Sequence, residues 1–315
     1  MRVAFMGTPD FAVPCLQALI EADFLDVVGV VSQPDRKRGR GQKVKPTPVK
    51  KRALKHDIEV FQPEKVSTAE GIAKLEEWNP EVIVVVAYGQ ILKEEVLNLP
   101  KYGCINIHAS LLPKYRGAAP IHRAIIDGEE KTGITTMHMD KGMDTGDMIL
   151  KEELEISPED TVGTLHDKLS EIGANLIVET LKQIEAGSAP REQQDDEQAT
   201  YAPKISKQEG LVDWSKDVRS IWNLIRGMNP WPGSYTYQEG SRLKLWNSKI
   251  YDNKKVAEGV IPGTVVKVDD ELGIVVQTGE GQLLLTEVQP ASKQRIDATD
   301  YLRGYDIRVG SKLGE

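Results

Sequence analysis

Asn106 and His108 are polar residues at alternate positions in the apolar run that begins at Cys104. Alternate side chains of an extended chain point to the same side, so a carboxamide and an imidazole would face one location. A turn with Pro113 and Gly117 follows them. The pattern indicates a polar working site, although an Asn and a His at the end of a strand can also satisfy the backbone of a loop.

A second candidate region is the acidic turn of residues 140–147, which follows a predicted strand over residues 133–139. The turn contains three carboxylates. Their spacing lacks the calcium-loop pattern D-x-[DN]-x-[DN]-G and its later Glu, so we expect no metal. Ordinary turn chemistry accounts for Asp140 and Asp147. Asp144, in the middle of the turn, is the carboxylate that we assign to the site.

The start of the chain has the element order of a doubly wound sheet. Residues 3–6 form a short apolar run, residues 11–20 an amphipathic segment and residues 27–31 a second apolar run. Such a β-α-β opening predicts an α/β fold with a Rossmann-like, mostly parallel sheet. The first turn contains a single glycine instead of G-x-G-x-x-G, which argues against a nicotinamide cofactor.

Two later strands connect this sheet to the candidate site. The β-branched run of residues 82–86 is typical of a central parallel strand that is buried on both faces. The next run, residues 104–107, ends at His108. Ligands of open α/β sheets bind beyond the carboxyl ends of the strands. We therefore expect Asn106 and His108 at the rim of the sheet, where chemistry normally takes place.

The segment of residues 33–55 is strongly basic. It has ten basic residues and one acid, Asp35, whereas the whole chain carries a net charge of -8. Glycines at 39 and 41 predict a flexible middle, and prolines at 46 and 48 a stiffer exit. A charge run is usually a solvated loop. A long, mobile basic loop on an acidic protein also concentrates positive field, for which phosphates are the obvious counterpart.

The second half of the chain changes in character. An apolar stripe at helical spacing predicts a long packing helix over residues 161–186, and the polar, acidic residues 188–203 predict a linker. Short alternating runs beyond it, separated by Gly and acidic turns, predict a small antiparallel, OB-like β-barrel. The expected domains are residues 1–187 and 204–315, joined by the linker of residues 188–203.

The composition sets further limits. With 40% hydrophobic and 28% charged residues, the chain resembles ordinary soluble globular proteins. No stretch approaches the roughly 18 apolar residues that span a bilayer. Cys15 and Cys104 have no partner at metal-ligand spacing and form no disulfide framework, which favours a reducing compartment. We expect a cytoplasmic monomer without membrane association.

The chain resembles the methionyl-tRNA formyltransferases over essentially its full length. Enzymes that use 10-formyltetrahydrofolate share a signature that is similar to two runs of this chain, Asn106-x-His108-x-Ser110-Leu111-Leu112-Pro113 with Arg116-Gly117, and Asp144-Thr145-Gly146-Asp147. The opening run of residues 5–12, the basic loop and the Asn-Pro-Trp-Pro-Gly run of residues 229–233 narrow the resemblance to the tRNA-acting member.

The resemblance implies transfer of a formyl group from the folate to the α-amino group of methionine on initiator tRNA. It implies that Asn106 and His108 donate to the oxygen that becomes charged in the tetrahedral intermediate. Asp144 would interact with the imidazole and relay the proton that leaves the amine. The implied folate contacts are Val86, Tyr88, Gln90, Ile91, Ser110, Leu111, Leu112, Pro113 and Asp140. The implied tRNA contacts, beside the barrel, are Arg36, Lys37, Arg38, Arg40 and Lys43.

Other functions would use part of these features. A formyltransferase acting on a nucleotide sugar or glycinamide ribonucleotide, or a formyltetrahydrofolate hydrolase, shares the three catalytic residues without needing the basic loop or the C-terminal half. A nucleic-acid binder would make Asn106, His108 and Asp144 dispensable. A serine hydrolase is disfavoured because Ser110 lies in Ala-Ser-Leu rather than G-x-S-x-G.

Overall fold

The structure is a computed structural model that describes residues 1–38, 43–254 and 259–314. The chain packs as two compact units. The first comprises Met1–Pro120, Lys131–Glu155 and His166–Ala202, and the second comprises Ile121–Glu130, Ile156–Leu165 and Pro203–Glu315. Arg40, one of the implied tRNA contacts, lies outside the described residues, as does the side chain of Arg38.

The described strands, numbered along the chain, are β1 (Arg2–Gly7), β2 (Asp26–Val31), β3 (Arg36–Arg38), β4 (Lys43–Lys45), β5 (Val60–Phe61), β6 (Val82–Val86), β7 (Cys104–His108), β8 (Arg116–Gly117), β9 (Lys131–His138), β10 (Met148–Glu155), β11 (Tyr201–Ala202), β12 (Ser234–Gln238), β13 (Ser241–Asp252), β14 (Val265–Asp269), β15 (Gly273–Gln277), β16 (Gln282–Pro290) and β17 (Ile296–Asp297). The described α-helices are α1 (Val13–Glu21), α2 (Pro48–Leu54), α3 (Ala69–Trp78), α4 (Glu94–Leu97), α5 (Pro120–Ile126), α6 (Val162–Glu185), α7 (Val218–Gly227) and α8 (Ala298–Gly304). Within the described ranges, no helix combines the length and apolarity needed to cross a membrane.

The first unit is built on a seven-stranded sheet with the order β10-β9-β7-β6-β1-β2-β5. The strands from β7 to β5 in this order run parallel, whereas β9 is antiparallel to β7 and β10 is antiparallel to β9. All residues of β6 are buried, as their β-branched sequence predicts. The predicted α/β fold with a mostly parallel sheet is confirmed.

The strand order reverses between β1 and β6. From β1 the chain continues to β2 on one side, and it later returns to β6 on the other side. Loops that leave neighbouring strands in opposite directions open a crevice at the carboxyl ends, where ligands bind in such sheets. β7 lies beside β6, with Val85 opposite Asn106. The carboxyl end of β7, which carries His108, therefore lies at the same edge as this crevice.

The basic segment begins as a hairpin. β3 pairs antiparallel with β4, so that Arg36 lies opposite Lys45 and Arg38 opposite Lys43. Two strands of like charge face each other in this pairing, which is unfavourable in the absence of a counterion. The sequence predicts a long, mobile basic loop here, and the structure instead has a two-stranded hairpin over the described residues of β3 and β4.

The same prediction is wrong for the exit of the basic segment, which forms helix α2. The side chain of its N-cap, Thr47, accepts a hydrogen bond from the backbone of Lys50 at 3.2 Å. Pro48 occupies the first turn, and Val49 and Ala53 are buried. Thr-Pro is a recognised helix start. The surrounding positive charge concealed this signal in the sequence.

The predicted linker contains regular structure and packs within the first unit. β11 pairs in parallel with β8. Glu192 forms a bridge with Met148. The backbone N–H groups of Ala118 and Ala119 both donate to the carbonyl oxygen of Ala202, at 2.9 and 3.1 Å. This segment therefore contacts the chain on both sides of the candidate site.

The second unit has antiparallel strands in the order β12-β13-β16-β15-β14, with β17 paired to β16. Near the end of the chain, Leu313 bridges Gln238 of β12, and Lys312 bridges Thr264, which directly precedes β14. This segment joins the two edges of the sheet. A hydrophobic core lies between the sheet and helices α7 and α8. The antiparallel sheet of the predicted OB-like domain is confirmed.

Candidate active site

Asn106 is a polar residue in a buried strand. It is 9% exposed, and its neighbours across the sheet are Val85 and Met137. Its carboxamide has no hydrogen-bond partner in the part of the chain that the structure describes. Polar groups in such positions normally have partners, and this group has two donors and one acceptor available. The structure therefore leaves the Asn106 side chain free for a ligand.

His108, two residues further along β7, is 6% exposed. Its Nε2 lies 2.9 Å from the carbonyl oxygen of Tyr115. A carbonyl accepts hydrogen bonds and donates none, so Nε2 holds a proton in this arrangement. Nδ1 then lies 3.8 Å from Oδ2 of Asp144. The loop after β7 thus orients the imidazole with Nδ1 toward the carboxylate.

Asp144 is held by its own backbone and by the neighbouring loop. Its φ is 54°, which is uncommon for a residue with a side chain. Its Oδ2 accepts a hydrogen bond from the backbone N–H of Gly117 at 2.8 Å. A Cβ at Gly146 would lie 1.9 Å from the carbonyl oxygen of His138, so the turn fits closely against β9. Non-glycine residues with positive φ are concentrated at functional sites.

The loop after β7 is fixed by short polar contacts. Ser110 Oγ donates to the carbonyl oxygen of Lys114 at 2.6 Å, and the carbonyl oxygen of Ser110 accepts from Thr135 Oγ1 at 2.7 Å. Leu112 N donates to Thr135 Oγ1 at 3.1 Å, and the Leu112 side chain is 2% exposed. The Ser110 hydroxyl proton is therefore engaged within its own loop, as expected for a structural rather than a nucleophilic group.

Of the four side chains implied as folate contacts at the end of β6 and just after it, three face the protein, and the first of these, Val86, is the last residue of β6 and is fully buried. The Tyr88 hydroxyl is buried without a hydrogen-bond partner in the described chain, and burial raises its pKa. Gln90 accepts from Val66 N at 3.0 Å and donates to the carbonyl oxygen of Glu64 at 3.1 Å. Ile91, by contrast, is 91% exposed. Ile91 and the backbone of this segment are what a ligand could reach.

Asp140, also implied as a folate contact, closes the turn that carries Asp144. Its Oδ1 accepts hydrogen bonds from Gly142 N at 2.9 Å and from Thr145 Oγ1 at 2.7 Å. These bonds are typical of an aspartate that stabilises a turn. Among the described residues, no group of three or more His, Cys, Asp or Glu side chains could hold a metal ion.

Two family models match the chain. "Formyl transferase" covers residues 1–181, and "Formyl transferase, C-terminal domain" covers residues 204–306. A methionyl-tRNA formyltransferase of Bacillus subtilis is 54% identical over 314 residues, which are 99% of this chain and 98% of the relative. The chain belongs to the methionyl-tRNA formyltransferase family. A methionyl-tRNA formyltransferase of Halothermothrix orenii is 50% identical over 319 residues, 100% of both chains. The family and the formyltransferase activity predicted from the sequence are confirmed.

Solved structures with the same fold are much less similar in sequence. An N-formyltransferase of Helicobacter canadensis, in complex with folinic acid and dTDP-3-aminofucose, has a TM-score of 0.66 at 19% identity, with 91% of this chain and 98% of that chain covered. HypX of Aquifex aeolicus, in complex with tetrahydrofolic acid, has a TM-score of 0.62 at 17% identity, with 96% of this chain and 47% of that chain covered. These likenesses concern the fold alone.

Arg116 and Gln194 lie beside the candidate site, and the sequence-based account assigns a role to neither of them. Arg116 is 2% exposed. Its Nε donates to Gln194 Oε1 at 2.9 Å, and its Nη2 lies 2.8 Å from Oδ1 of Asp196. An arginine inside a largely buried motif requires acidic or amide partners. The sequence could therefore have predicted that Arg116 has acidic or amide partners, but it does not show which distant residues these are.

The basic hairpin of this formyltransferase is anchored at its base by Asp35. Oδ2 of Asp35 lies 2.7 Å from Lys50 Nζ, and Oδ1 accepts from Gln62 Nε2 at 2.8 Å. Although desolvation acts in the opposite direction, the hydrogen bonds from Gln62 and Lys50 lower the pKa of Asp35. Beyond this anchor, Arg36, Lys37 and Lys43 are exposed, and the implied tRNA contacts at these positions stay a prediction.

Proposed function

We propose that Asn106, His108 and Asp144 catalyse transfer of the formyl group of 10-formyltetrahydrofolate to the α-amino group of methionine on initiator tRNA. The product is N-formylmethionyl-tRNA, which serves translation initiation. One observation carries the assignment. At the carboxyl end of β7, a carboxamide without a partner among the described residues lies beside an imidazole whose Nδ1 is 3.8 Å from a carboxylate.

The acceptor amine determines what this site has to do. An α-amino group has a pKa of about 8, so a useful fraction is uncharged at neutral pH and no strong base is needed. When the nitrogen attacks the formyl carbon, negative charge develops on the formyl oxygen and positive charge on the nitrogen. The site must therefore offer donors to the oxygen and an acceptor for the proton that the nitrogen loses.

The geometry suits one role for each residue. The Asn106 carboxamide donates to the formyl oxygen. Because Nε2 of His108 is engaged by Tyr115, its Nδ1 is the nitrogen available to the reacting groups, and it donates when protonated. The Asp144 carboxylate stabilises that positive charge across 3.8 Å and accepts the proton from the amine. As the carbonyl re-forms, the bond between the formyl carbon and N10 of the folate breaks, and N10 takes up the proton that Asp144 has accepted. No covalent bond between enzyme and formyl group is required.

The residues present fit a folate at the same edge of the sheet. The segment that follows β6 begins at the carboxyl end of this strand, where the crevice opens. Its apolar side chain Ile91 is 91% exposed. Leu111, half-buried in the loop after β7, offers a second apolar surface. Such surfaces suit a flat ring system with a few backbone hydrogen bonds. The folate supplies the formyl group when it is bound.

A charged nucleic acid is the acceptor that best explains the basic hairpin. Arg36, Lys37 and Lys43 are exposed on adjacent strands of a protein with a net charge of -8. A small amine, such as an amino sugar, would not need the positive charge of this hairpin for binding. We infer that residues 1–187 are catalytic and that residues 204–315 bind tRNA. The family model that begins at residue 204 supports this division.

We also infer a monomer that works in the cytoplasm. The candidate catalytic residues Asn106, His108 and Asp144 all lie in the first compact unit. Cys15 and Cys104 are free and buried, and burial raises the pKa of each thiol to about 12. Buried protonated thiols suit a reducing compartment. A mass of about 35 kDa by light scattering, the mass of one chain, is the expected result.

The test compares acceptors with 10-formyltetrahydrofolate as the donor. We expect formyl transfer to initiator methionyl-tRNA at a rate far above that to elongator methionyl-tRNA or to an amino sugar nucleotide. A similar rate with the amino sugar nucleotide would contradict the proposal. So would a rate of transfer to initiator methionyl-tRNA that stays unchanged when Asn106, His108 and Asp144 are each replaced.

A further inference from the structure

The side chain of Gln194 connects the two loops that carry the candidate catalytic groups. It is 6% exposed. Its Nε2 donates to the carbonyl oxygens of Asp144 and Gly146, both at 2.8 Å, and its Oε1 accepts from Nε of Arg116 at 2.9 Å. Only one orientation of the carboxamide fits, because the carbonyls accept and the guanidinium donates. Both donor N–H groups and the acceptor oxygen therefore have partners.

Each end of this bridge lies next to a contact that defines the site. Arg116 stands between Tyr115, whose carbonyl oxygen orients His108, and Gly117, whose N–H binds the Asp144 carboxylate. The other end is the backbone of Asp144 itself. A break in the bridge would thus act on both partners of the pair formed by His108 Nδ1 and Asp144 Oδ2.

The conformation of Asp144 needs such support. Its φ of 54° is uncommon for a residue with a side chain and persists where the surrounding structure over-determines it. The hydrogen bonds from Gln194 to Asp144 and Gly146 hold the turn on both sides of Thr145. Asp140 supports the same turn from its exposed side. Gln194 supports it from the buried side.

We propose that Gln194 is a positioning residue that sets the separation between Asp144 Oδ2 and His108 Nδ1. The inference rests on the proposed function of these two residues. Because Gln194 is 6% exposed and all its polar groups are engaged by the protein, we expect its removal to lower kcat and to leave KM for the tRNA and for the folate nearly unchanged. The expected loss in kcat is about 10- to 100-fold, the range for residues that orient a functional group from behind.

Two variants of Gln194 separate positioning from packing. Gln194→Leu keeps the volume and removes all three hydrogen bonds. Gln194→Glu keeps an acceptor for Arg116 but loses the N–H donors toward Asp144 and Gly146, and we expect it to be as slow as Gln194→Leu. Gln193→Leu, at the exposed neighbouring glutamine, is the matched control and should behave as wild type. Thermal unfolding measured on each variant shows that the rates come from folded protein.

A double-mutant cycle tests whether the effect passes through Asp144. In single-turnover formyl transfer to methionyl-tRNA, Gln194→Leu should slow the wild type about 10- to 100-fold but slow Asp144→Asn less than about 3-fold. An equal effect in both backgrounds, or wild-type kcat in Gln194→Glu, would overturn the positioning role alone. A wild-type rate in Asp144→Asn would overturn the proposed function and this inference together.

Discussion

Nδ1 of His108 lies 3.8 Å from Oδ2 of Asp144, while the opposite ring nitrogen, Nε2, lies 2.9 Å from the carbonyl oxygen of Tyr115. The second contact is a hydrogen bond, and the first is longer than one. The imidazole is thus fixed at one side, and at the other it faces a carboxylate that can stabilise a positive charge on the ring without a direct hydrogen bond. Asn106, two residues earlier on the same strand, completes a site with donors and an acceptor.

Replacing Asn106 with Ala should lower kcat about 10²- to 10³-fold, the usual loss when one preorganised donor to a developing oxyanion is removed. KM for both substrates should change little, because the hydrogen bond matters most when the oxygen is charged. Steady-state kinetics with methionyl-tRNA checks this. Asn98→Ala, at an exposed asparagine after α4, is the control and should keep the wild-type rate.

Ile91→Ser should raise KM for 10-formyltetrahydrofolate several-fold and leave KM for methionyl-tRNA unchanged. The reason is the loss of part of an apolar contact, since full burial of a side chain of this size contributes roughly 1.5–3 kcal/mol. Ile261→Ser is the matched control, since Ile261 is an exposed isoleucine in the second unit at 61%. Equal KM values for 10-formyltetrahydrofolate in the two variants would show that Ile91 does not contact the folate.

The triple substitution of Arg36, Lys37 and Lys43 by Ala should weaken tRNA use and flatten its dependence on salt. Each lost phosphate contact reduces the slope of log affinity against log salt by about 0.7 to 0.9. A triple variant of Lys65, Lys101 and Lys131 removes the same charge elsewhere and serves as the control. If both triples raise KM for tRNA equally, net charge rather than the hairpin is responsible.

Asp35→Asn should destabilise the protein at pH 7 by about 1 kcal/mol, since hydrogen bonds to a charged group are lost. The folded-state pKa of Asp35 is lowered, so its ionised form stabilises the fold above its ordinary value of 3.8. This contribution disappears as the pH falls through the folded pKa. The difference between wild type and variant should therefore shrink below about pH 4 in urea unfolding. Asp23→Asn, at an exposed aspartate, is the control for the loss of one carboxylate.

The sheet and two members of the site could be predicted because their signals are local. A β-branched run marks β6, and the alternation of Asn106 and His108 on β7 is visible in five residues of sequence. Asp144 was recoverable because its turn follows the next strand of the same sheet. Each of these signals comes from residues that are close together in the chain, so it can be read from the sequence alone.

The parts that could not be predicted depend on distant contacts. Gln194 lies in a polar stretch without periodicity, and its partner Arg116 is 78 residues away in the chain. The directions of the Tyr88 and Gln90 side chains were equally hidden, because only packing decides that both face the protein. Helix α2 could not be predicted for a different reason. The many basic residues of the segment favoured a loop, although Thr47 and Pro48 form a correct helix start.

Single-turnover formyl transfer from 10-formyltetrahydrofolate to initiator methionyl-tRNA, measured for His108→Ala, Asp144→Asn and the double variant, tests the central claim most directly. We expect each single variant to be slower by about 10² or more, and the double variant to be little slower than the worse single one, since residues that act as a unit are not additive. A rate within twofold of wild type in either single variant, with the protein folded, would contradict the assignment.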